Sequence, residues 1–178
     1  MPFEFAFLDW LYQFRNPVMN TISIFFDYAG AHGEIWIAFT LLLLLFRCTR
    51  KAGFAMAVAL VLYMAAGHFF LKPLFARPRP CDVNTAITIL VKRPHGHSFP
   101  SGHTASAFAA AFALWLQNWK LGVPALVLAA FIAFTRLYLY VHFPTDVLGG
   151  LVLGLALGFF ASWLVDSLAN KFKKKQIV

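Results

Sequence analysis

The sequence predicts an all-α protein, a polytopic membrane bundle of six transmembrane helices. Of its 178 residues, 61% are hydrophobic and only 12% are charged, whereas a soluble domain of ordinary composition has about 25% charged residues. The apolar residues also fall into runs that are long enough, or nearly long enough, to cross the hydrocarbon core. Helix is favoured for these runs because an open sheet edge in lipid would leave backbone groups without hydrogen-bond partners.

Six apolar runs give the predicted spans, and they follow one another with short separations except in one place. They cover residues 17–28, 34–46, 52–71, 103–116, 123–141 and 145–169. Since no second core is indicated, residues 1–178 are predicted to form a single domain.

The stretch before the first span has a different pattern. Phe7, Trp10, Leu11 and Phe14 recur at helical spacing, with polar residues on the rest of the turn. This pattern predicts an amphipathic helix within residues 1–16 that lies at the membrane interface. The same stretch could also begin a long, kinked first span.

Three short polar clusters lie at the edges of the apolar runs, and they are the strongest functional signal. They are Lys72 with Arg79-Pro80, then Pro100-Ser101-Gly102-His103, then Arg136, His142 and Asp146. Cations, histidines and carboxylates are costly near hydrocarbon, so their presence there indicates function. The mixture suits one chemistry, in which cations hold a phosphate while an imidazole attacks its phosphorus.

The basic residues predict how the bundle is oriented. If the third span runs outward, nine of the fifteen Lys and Arg residues fall inside, and the other six lie in or beside the clusters. The inner excess is typical of topology-setting charge, so the net charge of +8 does not indicate nucleic-acid binding. We therefore expect an integral protein of a bacterial inner (plasma) membrane, with the clusters on the periplasmic or extracellular side and residues 170–178 as a basic cytoplasmic tail.

Residues 73–100 are the one long connection between predicted spans. This segment contains several prolines and no apolar run of span length. Long connections inside compact domains are usually functional. We therefore expect a periplasmic or extracellular lid of short helices that caps the clusters.

The third cluster supplies a candidate nucleophile. His142 and Asp146 are four residues apart across a proline that favours a helix start, so the carboxylate can turn back to the imidazole. Such a bond fixes the tautomer and stabilises the cation formed on attack. Taken alone, the pair would more simply be a structural contact at a helix end.

The other two clusters supply a phosphate cradle. Ser101 is a favourable helix N-cap and Gly102 lets a ligand approach the backbone, which makes this helix start an anion site. His103 is the candidate general acid, and a neutral His142 with a charged His103 predicts a bell-shaped pH dependence. Charge for the phosphate oxygens would come from Lys72, Arg79 and Arg136, although Arg136 could instead snorkel to the interface.

The order and spacing of the three clusters resemble the signature of the type 2 phosphatidic acid phosphatase superfamily. The resemblance extends from Lys72 to Asp146. It implies a membrane lipid phosphatase in which His142 forms a phosphohistidine, with undecaprenyl diphosphate as the leading substrate and phosphatidylglycerophosphate or phosphatidic acid as competitors. The family usually has serine directly before the arginine of the third cluster, Arg136, where this chain has Thr135.

Several alternatives remain open. A phosphotransferase would share the phosphohistidine and differ in its acceptor, whereas a vanadium haloperoxidase is disfavoured because those relatives are soluble. His103, His142 and Asp146 could form a metal triad, but the nearby cations oppose it, so we expect neither metal nor cofactor. A transporter or scaffold would more naturally place charges at mid-depth.

We also expect a monomer or weak homodimer. Glycines at 150, 154 and 158 line one face of the last span, as in close helix packing. They would pack within one chain or against a second copy.

Overall fold

The structure is a computed structural model that describes residues 2–30 and 33–175, the last four by their backbone alone. Within these residues the regular structure is entirely helical, with no strand, and the all-α prediction is confirmed. The helices are α1 (Pro2–Tyr12), α2 (Pro17–Ala29), α3 (Glu34–Leu45), α4 (Arg50–Tyr63), α5 (Lys72–Phe75), α6 (Pro80–Val83), α7 (Gly102–Gln117), α8 (Trp119–Tyr138) and α9 (Pro144–Lys175). A π-helical stretch, Met64–Leu71, joins α4 to α5.

Three of the described helical segments are long and apolar enough to cross a membrane. They are Arg50–Val83, Trp119–Tyr138 and Pro144–Lys171, and α2 with α3 would make a fourth if the bent pair forms one span. Helix α7 has 16 residues and is about 24 Å long, less than the hydrocarbon thickness of about 30 Å. The six-span arrangement therefore stays a prediction.

Helix α7 is the centre of the bundle and packs closely against α9. A Cβ atom at Gly150, Gly154 or Gly158 would lie 2.7–2.8 Å from a backbone oxygen of α7 or of its N-cap residue, those of Ser101, Ala105 and Ala109 in turn. Without a hydrophobic driving force between helices in lipid, such close approach is a main source of packing energy. The glycine face is thus used within the chain, and it fixes the start of α7 beside the start of α9.

The connection between α8 and α9 turns sharply and carries His142. Tyr140 has a φ of +64°, a left-handed conformation that is strained for a bulky residue. Its hydroxyl donates to Asp9 Oδ1 of α1 at 2.7 Å, and burial raises the pKa of Tyr140 to about 12, so the phenol stays protonated. Packing of Leu8 against Tyr140 and Phe143 also holds this turn.

Helix α1 is separate from α2 and packs against that connection. The helical structure is interrupted between Tyr12 and Pro17. Asn16 caps α2 there by accepting from the N–H of Met19. Of the predicted apolar stripe, Leu11 is buried, whereas Trp10 and Phe14 are exposed. The kinked-span alternative is disfavoured, and the interfacial location stays a prediction.

The predicted lid and tail are partly helical. Residues 73–100 contain the end of α5 and the four-residue α6, and most of the rest is irregular. Helix α9 continues to Lys175, so the predicted tail at 170–178 begins as helix, and residues 176–178 lie outside the described part. The capping role of the lid stays a prediction.

Candidate active site

His142 lies between a carboxylate on one side and a guanidinium on the other. Its Nδ1 is 3.5 Å from Asp146 Oδ2 and 3.3 Å from Ser98 Oγ, and its Nε2 is 3.2 Å from Arg79 Nη1. A proton on Nδ1 satisfies the carboxylate, and the Nε2 lone pair then faces the cation. In this arrangement Nε2 is the ring nitrogen without a proton.

The environment keeps His142 neutral. The residue lies in the connection between α8 and α9 and is 2% exposed. Burial lowers the pKa of His142 to about 3, although hydrogen bonding to Asp146 acts in the opposite direction. A neutral imidazole has the lone pair that attack on phosphorus requires.

Asp146 is fully buried and its carboxylate is bonded from several directions. Oδ2 accepts from the hydroxyl of Ser98 and from the N–H of Phe143 at 2.8 Å. Oδ1 accepts from Arg77 Nη1 at 2.6 Å. Because its backbone oxygen also accepts from the N–H of Ser101 at 3.0 Å, Asp146 ties the third cluster to the second.

Arg79 and Lys72 converge on the irregular part of the lid. Arg79 is 4% exposed and donates to the backbone oxygens of Gly96 and Val141, both at 3.1 Å. Lys72 Nζ donates to the backbone oxygen of His97 at 3.4 Å. These carbonyls hold the two cations in place next to His142.

The start of α7 lies against Lys72. A Cβ at Gly102 would lie 2.6 Å from the hydroxyl of Tyr63 and 3.6 Å from Lys72 Nζ, so only glycine fits there without displacement. The N–H groups of this first turn have no acceptor within the helix and are free to bind an anion. Ser101 occupies the N-cap position as predicted, but its side chain does not cap the helix and instead accepts from the Thr104 hydroxyl at 2.9 Å.

Arg136 and His103 both contact Asp27 of α2. Arg136 is 1% exposed and its Nη1 donates to Asp27 Oδ1 at 2.6 Å. His103 Nε2 is 3.4 Å from the backbone oxygen of Asp27. The Thr135 hydroxyl accepts from Arg136 Nε and Nη2 at 3.2 and 2.8 Å; threonine therefore keeps an oxygen where the resemblance expects serine.

Residues 49–169 match the PAP2 superfamily, the type 2 phosphatidic acid phosphatases. The chain belongs to this superfamily. Two relatives match most of the chain. The undecaprenyl-diphosphatase of Sulfolobus acidocaldarius is 31% identical over 80% of this chain and 69% of its own length. The undecaprenyl-diphosphatase BcrC of Bacillus subtilis is 31% identical over 82% of this chain and 74% of its own.

Solved PAP2 structures share the fold. LpxE of Aquifex aeolicus has a TM-score of 0.71 at 26% identity, covering 89% of this chain and 94% of its own. A PAP2-type phosphatidylglycerolphosphate phosphatase of Bacillus subtilis has a TM-score of 0.69 at 25% identity, covering 93% and 84%. The predicted family is confirmed, and with it the chain's class as a lipid phosphatase.

The structure also brings to the candidate site four residues that the three clusters do not include. Ser98 and Arg77 bond to Asp146, Asp27 bonds to Arg136, and Glu4 bonds to Arg77 at 2.7 Å. Arg77 matches no position of the three clusters, and the other three lack any spacing signal. From the sequence, each of these four residues could have been inferred only from the need of a buried charged group for a partner.

Proposed function

We propose that this protein hydrolyses a lipid phosphate or diphosphate through a phosphohistidine at Nε2 of His142, without a metal ion. The observation that carries the proposal is the distance of 3.2 Å between that nitrogen and Arg79 Nη1. A phosphate oxygen bound by Arg79 would bring its phosphorus within reach of the lone pair. Such placement of reacting atoms is a large part of phosphoryl-transfer catalysis.

The reaction has two balanced steps. The Nε2 lone pair of His142 forms a bond to phosphorus while the bond to the leaving oxygen breaks, and His103 gives that oxygen a proton. Water then attacks the phosphohistidine, His103 takes its proton, and the P–N bond breaks to release inorganic phosphate. Asp146 stabilises the cationic ring between the two steps.

The remaining cluster residues stabilise charge on the transferred group. Arg79 and Arg136 can each bind two oxygens, whereas Lys72 acts as a point charge. The first turn of α7 at Ser101 and Gly102 adds backbone N–H groups aimed at the same anion. Because Arg79, Ser101 and Arg136 are buried and held by other contacts, little reorganisation of them is needed as charge develops.

An apolar groove beside the site favours a substrate with a hydrocarbon chain. The groove has a volume of about 540 Å³ and is lined by apolar side chains of the π-helical stretch, the lid and α9, including Leu71, Phe99, Pro100 and Val152. Leu71 and Pro100 directly precede Lys72 and Ser101, so the groove leads to the cradle. A chain in this groove would place its phosphate at the cations.

Undecaprenyl diphosphate is the substrate that we propose first. Two relatives are named for that activity, while similarity to a phosphatidylglycerolphosphate phosphatase keeps that lipid as the competitor. We place the site on the periplasmic or extracellular face of a bacterial plasma membrane, with the C-terminus in the cytoplasm. The inner loops and the C-terminal tail then contain eight of the fifteen Lys and Arg residues, the excess expected on the inner side. Arg15, which the sequence placed with the inner residues, instead donates to the backbone oxygen of Thr88 in the lid.

A substrate panel tests the proposal. Purified protein in detergent, given undecaprenyl diphosphate, phosphatidylglycerophosphate and phosphatidic acid, should release phosphate fastest from the first. Lipid products without free phosphate would indicate a phosphotransferase. Absence of both phosphate release and lipid conversion would contradict the proposal.

The groove makes a further prediction within the same assay. Val152→Trp should raise KM for the long-chain diphosphate several-fold while leaving a short-chain analogue unaffected, because the indole fills the groove. Val127→Trp on α8 is the matched control, since Val127 and Val152 are similarly exposed, 66% and 68%. Equal effects of the two variants would show that the groove does not hold the chain.

Burial of a neutral imidazole predicts how stability depends on pH. The pKa of His142 is near 6.5 in the unfolded chain and about 3 when folded. Between these values the unfolded chain binds a proton that the folded protein does not, so stability falls as pH falls below 6.5, by up to about 1.4 kcal/mol per pH unit. Thermal unfolding in detergent from pH 7 to 4 should show a weaker pH dependence for His142→Gln, and equal slopes would contradict the neutral assignment.

A further inference from the structure

Arg77 contacts Asp146 on the carboxylate oxygen that His142 does not use. Its Nη1 donates to Asp146 Oδ1 and to the hydroxyl of Thr145, both at 2.6 Å. Its guanidinium also lies over the ring of Phe143, 4.2 Å from the centroid. These contacts fix the cation directly behind the carboxylate that faces His142.

Arg77 is shared with a second carboxylate, which comes from α1. Glu4 Oε2 accepts from Arg77 Nη2 at 2.7 Å, and Glu4 Oε1 accepts from the Thr145 hydroxyl at 2.6 Å. Glu4 is 8% exposed, an unusual position for a carboxylate unless it is paired. The first turn of α1 is therefore bonded to the start of α9, one residue before Asp146.

The two carboxylates divide one positive charge between them. Arg77 alone would neutralise Asp146, and a neutralised Asp146 would stabilise a cationic His142 poorly. Glu4 offsets the charge of Arg77, so the group of three keeps a net negative charge next to the imidazole. In a buried site with a low effective dielectric, this balance acts strongly on a ring that becomes cationic.

We propose that Glu4 and Arg77 are positioning residues that hold Asp146 and maintain its charge for phosphohistidine formation. Helix α1 is then part of the catalytic apparatus through Glu4, although it lies outside the three clusters. The inference depends on the roles proposed above for His142 and Asp146. It concerns the rate of phosphoryl transfer and not the binding of the lipid, because neither residue faces Nε2.

The test compares kcat and KM for Glu4→Gln, Arg77→Met and Arg77→Lys with undecaprenyl diphosphate. Glu4→Gln should lower kcat about tenfold, the lower end of what loss of an outer-shell partner costs in metal sites, with KM unchanged and slower phosphoenzyme formation. Arg77→Met should lower kcat at least as much, because it removes the donor that holds Asp146 Oδ1. Arg77→Lys should restore part of the loss, because its ammonium group can still donate to that oxygen.

Asp9→Asn is the matched control on the same helix. Asp9 also anchors α1, but through Tyr140 at 2.7 Å and not through Arg77. It should keep a kcat close to that of the wild type. Equal losses of kcat in Asp9→Asn and Glu4→Gln would show that α1 only supports the fold, and this would overturn the proposal.

The double variant Glu4→Gln/Arg77→Met keeps the test decisive if one substitution also lowers stability. Because Glu4 acts through Arg77, the double variant should be no slower than Arg77→Met alone. Additive losses, a change in KM alone, or full activity of Glu4→Gln would each overturn the inference. A wild-type protein that turns over none of the lipid phosphates would instead overturn the proposed function.

Discussion

Replacing His142 with alanine will abolish phosphate release and the phosphorylated enzyme together. The variant removes the Nε2 that Arg79 approaches, while Asp146 keeps its bonds from Ser98, Phe143 and Arg77. Loss of a nucleophile from an otherwise intact site typically costs on the order of 10⁴-fold or more in kcat. The enzyme is labelled with a ³²P-labelled lipid, and loss of the label in acid and in base is compared. A phosphohistidine loses the label in acid and keeps it in base, whereas a phosphoester keeps it in acid.

His68→Ala is the control for the loss of an imidazole near the clusters. His68 lies in the π-helical stretch before Lys72 and contacts the ring of Phe69, with 5.1 Å between the centroids. It should retain wild-type turnover. Substantial activity in a folded His142→Ala protein would assign the attack to another group, and a thermal unfolding curve in the same detergent establishes that the variant is folded.

The sequence predicted the helices well because their limits follow from local signals. The first predicted span begins at residue 17 and the last at 145, against Pro17 and Pro144 in the structure. Proline fits the first turn of a helix, where no N–H is required. The spans themselves follow from continuous apolar runs, which leave helix as the stable state in lipid.

The parts of the fold that the sequence did not indicate depend on contacts between distant segments. The π-helical stretch Met64–Leu71 has no composition signal that separates it from α4. The placement of α1 depends on Leu8 and on Asp9, whose partners lie in the connection between α8 and α9. Such contacts join residues more than 130 positions apart, beyond the reach of any periodic pattern.

The candidate site shows the same division. Lys72 and Arg79 were predicted as neighbours of His142, and the structure places all three around one stretch of the lid backbone. The compensating carboxylates were missed, because Asp27 lies in a predicted apolar span and Glu4 in the predicted amphipathic helix, where neither has a spacing relation to the three clusters. A buried arginine requires a carboxylate partner. The sequence could therefore predict that such a partner exists, but not which residue supplies it.

The role of Ser101 also differs from a simple reading of its position. Serine is favoured at a helix N-cap because its oxygen can accept from an N–H of the first turn. Here that oxygen accepts from the Thr104 hydroxyl, which leaves the N–H groups of the turn for an external anion. A cap that bonded its own helix would compete with the phosphate, so the departure from the expected contact suits a binding site.

Substituting lysine for Arg136 will lower kcat by about 10²-fold, the cost of losing one preorganised donor. The guanidinium donates to Asp27 and to the Thr135 hydroxyl at the same time, and it is 1% exposed. An ammonium group cannot reproduce this planar set of donors, so Arg136→Lys would leave a partner unsatisfied and lose the proposed two-oxygen contact with phosphate. Steady-state kinetics with the preferred lipid measure the effect.

Arg93→Lys is the matched control for this conservative change. Arg93 is half exposed and 3.4 Å from Asp82, and an exposed pair of this kind contributes little, so its kcat should stay near that of the wild type. If Arg136→Lys were equally active, Arg136 would serve only to place a charge at the end of α8. Because its guanidinium bonds Asp27 inside the bundle and does not extend to water, we expect the two variants to differ clearly.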